Sequence, residues 1–193
     1  MVEGARSTAF DRRLRKLKDR RAAARILIRI DRLAAGNPGD VKPVGQGVSE
    51  LRIPYGPGCR VYFERDGDRW ILLLTGGEKA TQGADNTWSR RARMGSDAES
   101  FVSFDAADYL DTVDDVVAYL EAILDEGYDD PTIIAQALGA IARSRNVSQI
   151  ARQAGMSREG LYKALSADGN PSLATVIHVS RALGLRLRFD SIA

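Results

Sequence analysis

Apolar residues near the start of the chain recur at spacings of three and four: Phe10, Leu14 and Leu17, then Ala23, Ile26, Leu27, Ile30 and Leu33. This period predicts two antiparallel helices over residues 8–19 and 20–35, each with one apolar stripe. Asp19 stands as an N-cap for the second helix, and Gly36-Asn37-Pro38-Gly39 closes it. The period then falls to two. Val48–Ile53 and Cys59–Glu64 read as strands joined by the turn Pro54-Tyr55-Gly56-Pro57-Gly58, and Asp66-Gly67-Asp68 turns into a third strand, Trp70–Leu74. Two helices against a small antiparallel sheet make an α+β module.

The second half returns to helical spacing. Phe104–Leu110 reads as a short ordered segment. Asp111 stands as an N-cap before the stripe Val113, Val116, Val117, Leu120, Ile123 and Leu124, which ends at Gly127. Asp130 and Pro131 open the next helix, with Ile134, Leu138 and Ile141 on its core face. Ser148 is expected to cap a short helix that Gly155 closes. Ser157 caps another, whose Leu161 and Leu165 point inward while Arg158, Glu159, Tyr162 and Lys163 stay outside. This pattern predicts a helix-turn-helix, with a plain αα-hairpin as the alternative. A last helix runs from Asn170-Pro171-Ser172 to Gly184, and the alternation of Leu185–Phe189 reads as a short strand.

The chain has 193 residues and a net charge of only +2, but that total hides a split. Residues 1–93 carry 20 basic and 11 acidic side chains, and residues 94–193 carry 8 and 15. Within the second half, residues 97–130 hold 12 acids and no Lys or Arg, while residues 131–193 are net +5. Such asymmetry predicts separate modules, two of them suited to nucleic acid. The acidic stretch is expected either to dock on the basic module or to be a solvated face. An apolar content of 44% and a charged content of 28% exclude a disordered chain or a disulfide scaffold. A single cysteine, Cys59, excludes an intrachain disulfide and fits a reducing cytoplasm. Met1–Phe10 has no apolar signal-peptide core, and apolar runs such as Ile71–Leu74 are too short to cross a bilayer, so no membrane partner is expected.

No cofactor or metal is expected, because one cysteine and one histidine, His178, cannot fill a zinc site. Cys59 reads as a packed hydrophobe and His178 as a surface or core-edge side chain. Arg52 and Arg60 lie on neighbouring strands, and Lys79 follows the third strand. Three convergent cations can hold a phosphodiester and stabilise its transition-state charge, or they can be an ordinary solvated face.

The motifs Leu14-Arg15-Lys16-Leu17-Lys18-Asp19, Gly36-Asn37-Pro38-Gly39-Asp40-Val41-Lys42-Pro43, Glu50-Leu51-Arg52-Ile53, Tyr55–Phe63 and Gly76-Gly77-Glu78-Lys79-Ala80-Thr81-Gln82 occur in order. Across residues 8–85 they resemble the RelE/ParE superfamily of bacterial toxins, in its HigB-like addiction-module killer branch. Asp105–Leu110, Ser148-Gln149-Ile150-Ala151, Ser157–Leu165 and Gly169-Asn170-Pro171-Ser172 resemble the HigA-like antidote, an Xre-type helix-turn-helix protein, over residues 104–190. The resemblance implies a toxin module at 1–85, a linker at 86–103 and an antitoxin at 104–193. It implies a ribosome-dependent mRNA endoribonuclease joined to its own antitoxin and repressor, with Arg52, Arg60 and Lys79 as catalytic candidates. Arg52 and Arg60 hold phosphate in this reading, and Lys79 binds phosphate or protonates the leaving oxygen. The expected DNA-facing residues are Gln149, Ser157, Arg158, Glu159, Tyr162, Lys163 and Asn170. Operator DNA, the mRNA-bearing ribosome and a second copy of the chain are the expected partners.

The chain departs from the toxin pattern at Cys59, usually tyrosine, and in residues 83–93, which lack the apolar stripe of a final helix. Met94 stands where a separate antidote would start, which suggests two adjacent reading frames joined at the expense of that helix. The alternative function is a chain with an inactive toxin module, acting only as a DNA-binding autorepressor.

Overall fold

The structure is a computed structural model and describes residues 4–45, 47–67, 69–76, 101–125, 131–144, 147–166 and 169–187. The chain forms two compact units, Met1–Asp105 and Ala106–Ala193.

The first unit runs β1 (Gly4–Ser7), α1 (Thr8–Arg15), α2 (Arg20–Ala34), β2 (Val41–Gly45), β3 (Val48–Ile53), β4 (Cys59–Asp66), β5 (Arg69–Gly76) and β6 (Phe101–Ser103). The strands make one sheet in the order β2-β3-β4-β5-β1-β6. Its pairings are antiparallel except β1 with β5, which is parallel. The expected α+β class is therefore observed, with a larger and mixed sheet.

Both helices start on side-chain caps. The Ser7 hydroxyl accepts from the Phe10 N–H at 3.0 Å, and the Asp19 carboxylate accepts from the Ala22 N–H at 3.0 Å. Helix α1 ends at Arg15, four residues before the boundary expected from the spacing. Helix α2 is buried continuously from Ile26 to Ile30, wider than a single stripe. It packs on β3 and β4, where Leu51, Ile53, Val61 and Phe63 share one face and are buried.

In the second unit a 3-10 turn at Ala106–Tyr109 precedes α3 (Val113–Asp125), α4 (Pro131–Ser144), α5 (Val147–Gln153), α6 (Arg158–Ala164) and α7 (Leu173–Ala182). Thr112 caps α3, not Asp111. Its hydroxyl accepts from the Asp115 N–H, and the Asp115 carboxylate accepts in return from the Thr112 N–H at 2.8 Å. Ser148 lies inside α5 rather than capping it. Ser172 caps α7, and Gly184, at φ +77°, ends it. Leu185–Leu187 form no strand, because the alternating residues have no neighbouring strand to pair with among those described. The core joins Leu110, Val116, Tyr119, Ile123, Leu138, Ile141, Ile150, Leu161, Leu165 and Val179.

The expected ends at Gly127 and Asp130, the junction at Met94 and residues 188–193 lie outside the described residues.

Candidate functional site

Two sets of side chains were singled out in the sequence, and each sits within one unit. In the first unit the β3–β4 register sets Arg52 directly opposite Arg60. Opposed residues of an antiparallel pair share a face, with Cβ atoms about 5 Å apart. The two side chains therefore leave the sheet on the same face. Lys79 lies outside the described residues.

Each arginine has a carboxylate partner. Arg52 Nη2 is 2.9 Å from Asp40 Oδ1, and both side chains are about half exposed. Asp40 is also tied through its backbone, its carbonyl accepting from the Arg52 N–H at 2.9 Å. The loop before it is pinned by Arg29 of α2, whose Nη2 donates to the Pro38 carbonyl at 3.1 Å. Gly39, at φ +71°, lies against that guanidinium, where a Cβ would fall 3.1 Å from Nη1. Arg60 Nε is 2.6 Å from Glu50 Oε1, and Glu50 is only 1% exposed. The Tyr62 hydroxyl donates to the same carboxylate at 3.4 Å.

The two pairs differ in consequence. A solvated pair such as Arg52–Asp40 contributes at most about 1 kcal/mol, so a phosphate can displace the carboxylate. A buried carboxylate such as Glu50 has no water to retreat into, so it holds Arg60 in place. Glu50 was missed in the sequence reading. Its parity with Arg52 places it on the same strand face, but its burial and its pairing with Arg60 come only from the fold.

Cys59 is buried on the opposite face of β4. Burial first, and then the Asp19 charge, push its thiol above the usual range, against the lowering effect of Arg60. A protonated thiol is a poor nucleophile, so the packed reading of Cys59 stands.

In the second unit α5 and α6 are joined by a tight turn at Gly155, whose φ of +70° favours glycine. The Met156 N–H closes back on the Ala151 carbonyl at 2.9 Å, and the Gly155 N–H on Arg152 at 3.1 Å, which satisfies the end of α5. The Ser157 hydroxyl caps α6 by accepting from the Gly160 N–H at 2.9 Å. Ile150, Ala151, Ala154, Leu161 and Leu165 are buried. That leaves Arg158, Glu159, Tyr162 and Lys163 exposed on α6, with the Arg158 guanidinium 5.6 Å from the centre of the Tyr162 ring. Gln149, Ser157 and Asn170 are exposed too, as is His178 on α7.

The sequence of this stretch has a counterpart in a known family. Residues 100–191 match the family model described as probable addiction module antidote protein. An uncharacterized protein of Haemophilus influenzae is 52% identical over 90 residues, covering 91% of that protein and 47% of this chain. The chain belongs to the probable addiction module antidote family. A second uncharacterized Haemophilus influenzae protein is 50% identical over 76 residues, 77% of its length and 39% of this chain. No solved structure matches. The antidote-family match takes in all of the second unit's helices and, in the first unit, strand β6. Among the described residues no helix is long and apolar enough to cross a membrane.

Proposed function

We propose that the chain is a toxin–antitoxin system protein in which the antidote-family half binds operator DNA and neutralises the N-terminal half in cis. The observation that carries this reading is the polar face of α6. Arg158, Glu159, Tyr162 and Lys163 are exposed above a buried Leu161 and Leu165, behind a tight turn, within an antidote-family segment. That is the form of a helix-turn-helix whose second helix reads the major groove. Gln149, Ser157 and Asn170 flank it as contacts to the backbone phosphates. One such helix covers one half-site, so two copies of the chain bind together. An electrophoretic shift with the chain's own upstream DNA tests the proposal. A salt-sensitive, sequence-specific shift is expected, and no shift beyond that of random DNA rejects it.

For the N-terminal half the same proposal holds it to be a ribosome-dependent mRNA endoribonuclease of RelE/HigB type, acting through Arg52, Arg60 and Lys79. The opposition of Arg52 and Arg60 on one sheet face supports this. A specific observation favours the alternative of an inactive module: Arg60 faces the buried Glu50, which occupies part of the charge that phosphate would need. Growth arrest on expressing the N-terminal half, lost with Lys79→Ala, separates the two.

A further inference from the structure

Strand β6 belongs to the antidote-family segment by sequence and to the other unit by position. The family match begins at residue 100, yet Phe101–Ser103 completes the sheet of the first unit. It pairs antiparallel with β1 in the register Ala5–Ser103, Arg6–Val102 and Ser7–Phe101. The ladder continues one residue further, where the Phe104 N–H donates to the Gly4 carbonyl at 2.9 Å. Phe104 then sets its ring edge-on to the fully buried Phe10, at 6.2 Å and 76°. By contrast Phe101 and Val102 are 44% and 50% exposed. The strand is thus held by backbone hydrogen bonds and one aromatic anchor, as an added strand is held on a sheet edge. β1 is a four-residue segment, Gly-Ala-Arg-Ser, with weak strand propensity, so pairing on both sides defines it.

We infer that Phe101–Phe104 is a clasp: the leading segment of the antidote-family half docks on the β1 edge of the N-terminal sheet by β-augmentation and holds the two halves together. The inference rests on reading the halves as partners. The edge accepts an extended segment ending in an aromatic residue, and a separate antidote-family chain with such a segment fits the same edge.

The test uses the full chain with a protease site inserted among residues 86–95. After cutting, the pieces should co-elute at about 0.5 M salt, where exposed ion pairs are screened. Ladder alternation puts the Val102 N–H on the Arg6 carbonyl, so Val102→Pro removes a donor and should weaken the association about tenfold or more. Phe104→Ala should act in the same direction. Amide exchange on the uncut, unsubstituted chain gives an independent readout. Residues 102 and 104 should exchange slowly, and Phe104→Ala should speed both positions while Leu51 and Val61 stay protected. Separation of the unsubstituted pieces, unchanged association in both variants, or fast exchange at 102 and 104 overturns the clasp. A cut chain that still shifts its upstream DNA while its pieces part rejects the clasp and leaves the DNA-binding proposal standing.

Discussion

Among single residues, Glu50 shows how a buried charge constrains the N-terminal unit. It is 1% exposed, and its partner Arg60 has a side chain only 14% exposed. Removing one member of a buried pair strands the other, at a cost of roughly 3–5 kcal/mol. Glu50→Ala is therefore expected to lower the urea midpoint of this unit strongly, and Asp40→Ala, which opens only a solvated pair, by less than about 1 kcal/mol. Equal losses in the two variants would contradict that ranking. Cys59 makes a pH prediction. Its thiol titrates above the ordinary 9.0 because burial favours the neutral form. The unfolded chain ionises first as pH rises, so this contribution to stability is intact below pH 9.0 and is lost as pH climbs through the raised folded value. Urea melts at rising alkaline pH should show a steeper decline for the native chain than for Cys59→Ala. Cys59 as a packed residue was legible from the sequence, because the chain's one histidine, His178, lies in the other half. Glu50 was not, because sequence spacing shows parity along a strand but not which residues stand opposite on its neighbour.

Elements were legible where they carry their own pattern and illegible where a partner makes them. β3, β4 and the helices showed clear periods and lie where they were expected, within a few residues. β2 contains Pro43 and the exposed Lys42 and carries no strand signature; it is an edge strand, where a missing N–H is tolerated. β1 and β6 have no strand signature and exist by pairing, β1 with β5 and β6 and β6 with β1. The reverse case is Leu185–Leu187, with the right alternation and no strand. Packing of helices sets a further prediction. Gly139 on α4 leaves no room for a side chain, because a Cβ there would run into the Leu165 carbonyl at the end of α6. Gly139→Ala must push α6 away, with an expected loss of about 1–3 kcal/mol and weaker DNA binding. Gly155→Ala has open space around it and should cost only the strain of φ +70°, about 1 kcal/mol. Thermal melts of the two variants that fall together would remove the steric argument.

Over the whole molecule, the net charge of +2 sums a basic first half and a mixed second half with opposite preferences. The two proposed nucleic-acid surfaces therefore separate by substitution. Lys163 is exposed on α6, so Lys163→Ala should weaken binding to the upstream DNA and, if it meets phosphate, reduce the salt slope by about 1. It should leave untouched any growth arrest caused by the N-terminal half. That arrest is best sought with residues 1–105, because the sheet of the first unit includes β6 and a shorter piece loses an edge strand. Within it Arg52 and Arg60 have different freedom. Asp40 competes for Arg52 from a solvated position, so Asp40→Ala should release the guanidinium and deepen the arrest. Arg52→Ala should abolish it. The opposite order, with Asp40→Ala silent and Arg52→Ala still toxic, would take the exposed arginine out of the chemistry. Full growth on expression of residues 1–105, with the purified piece folded, would leave DNA binding as the chain's working activity.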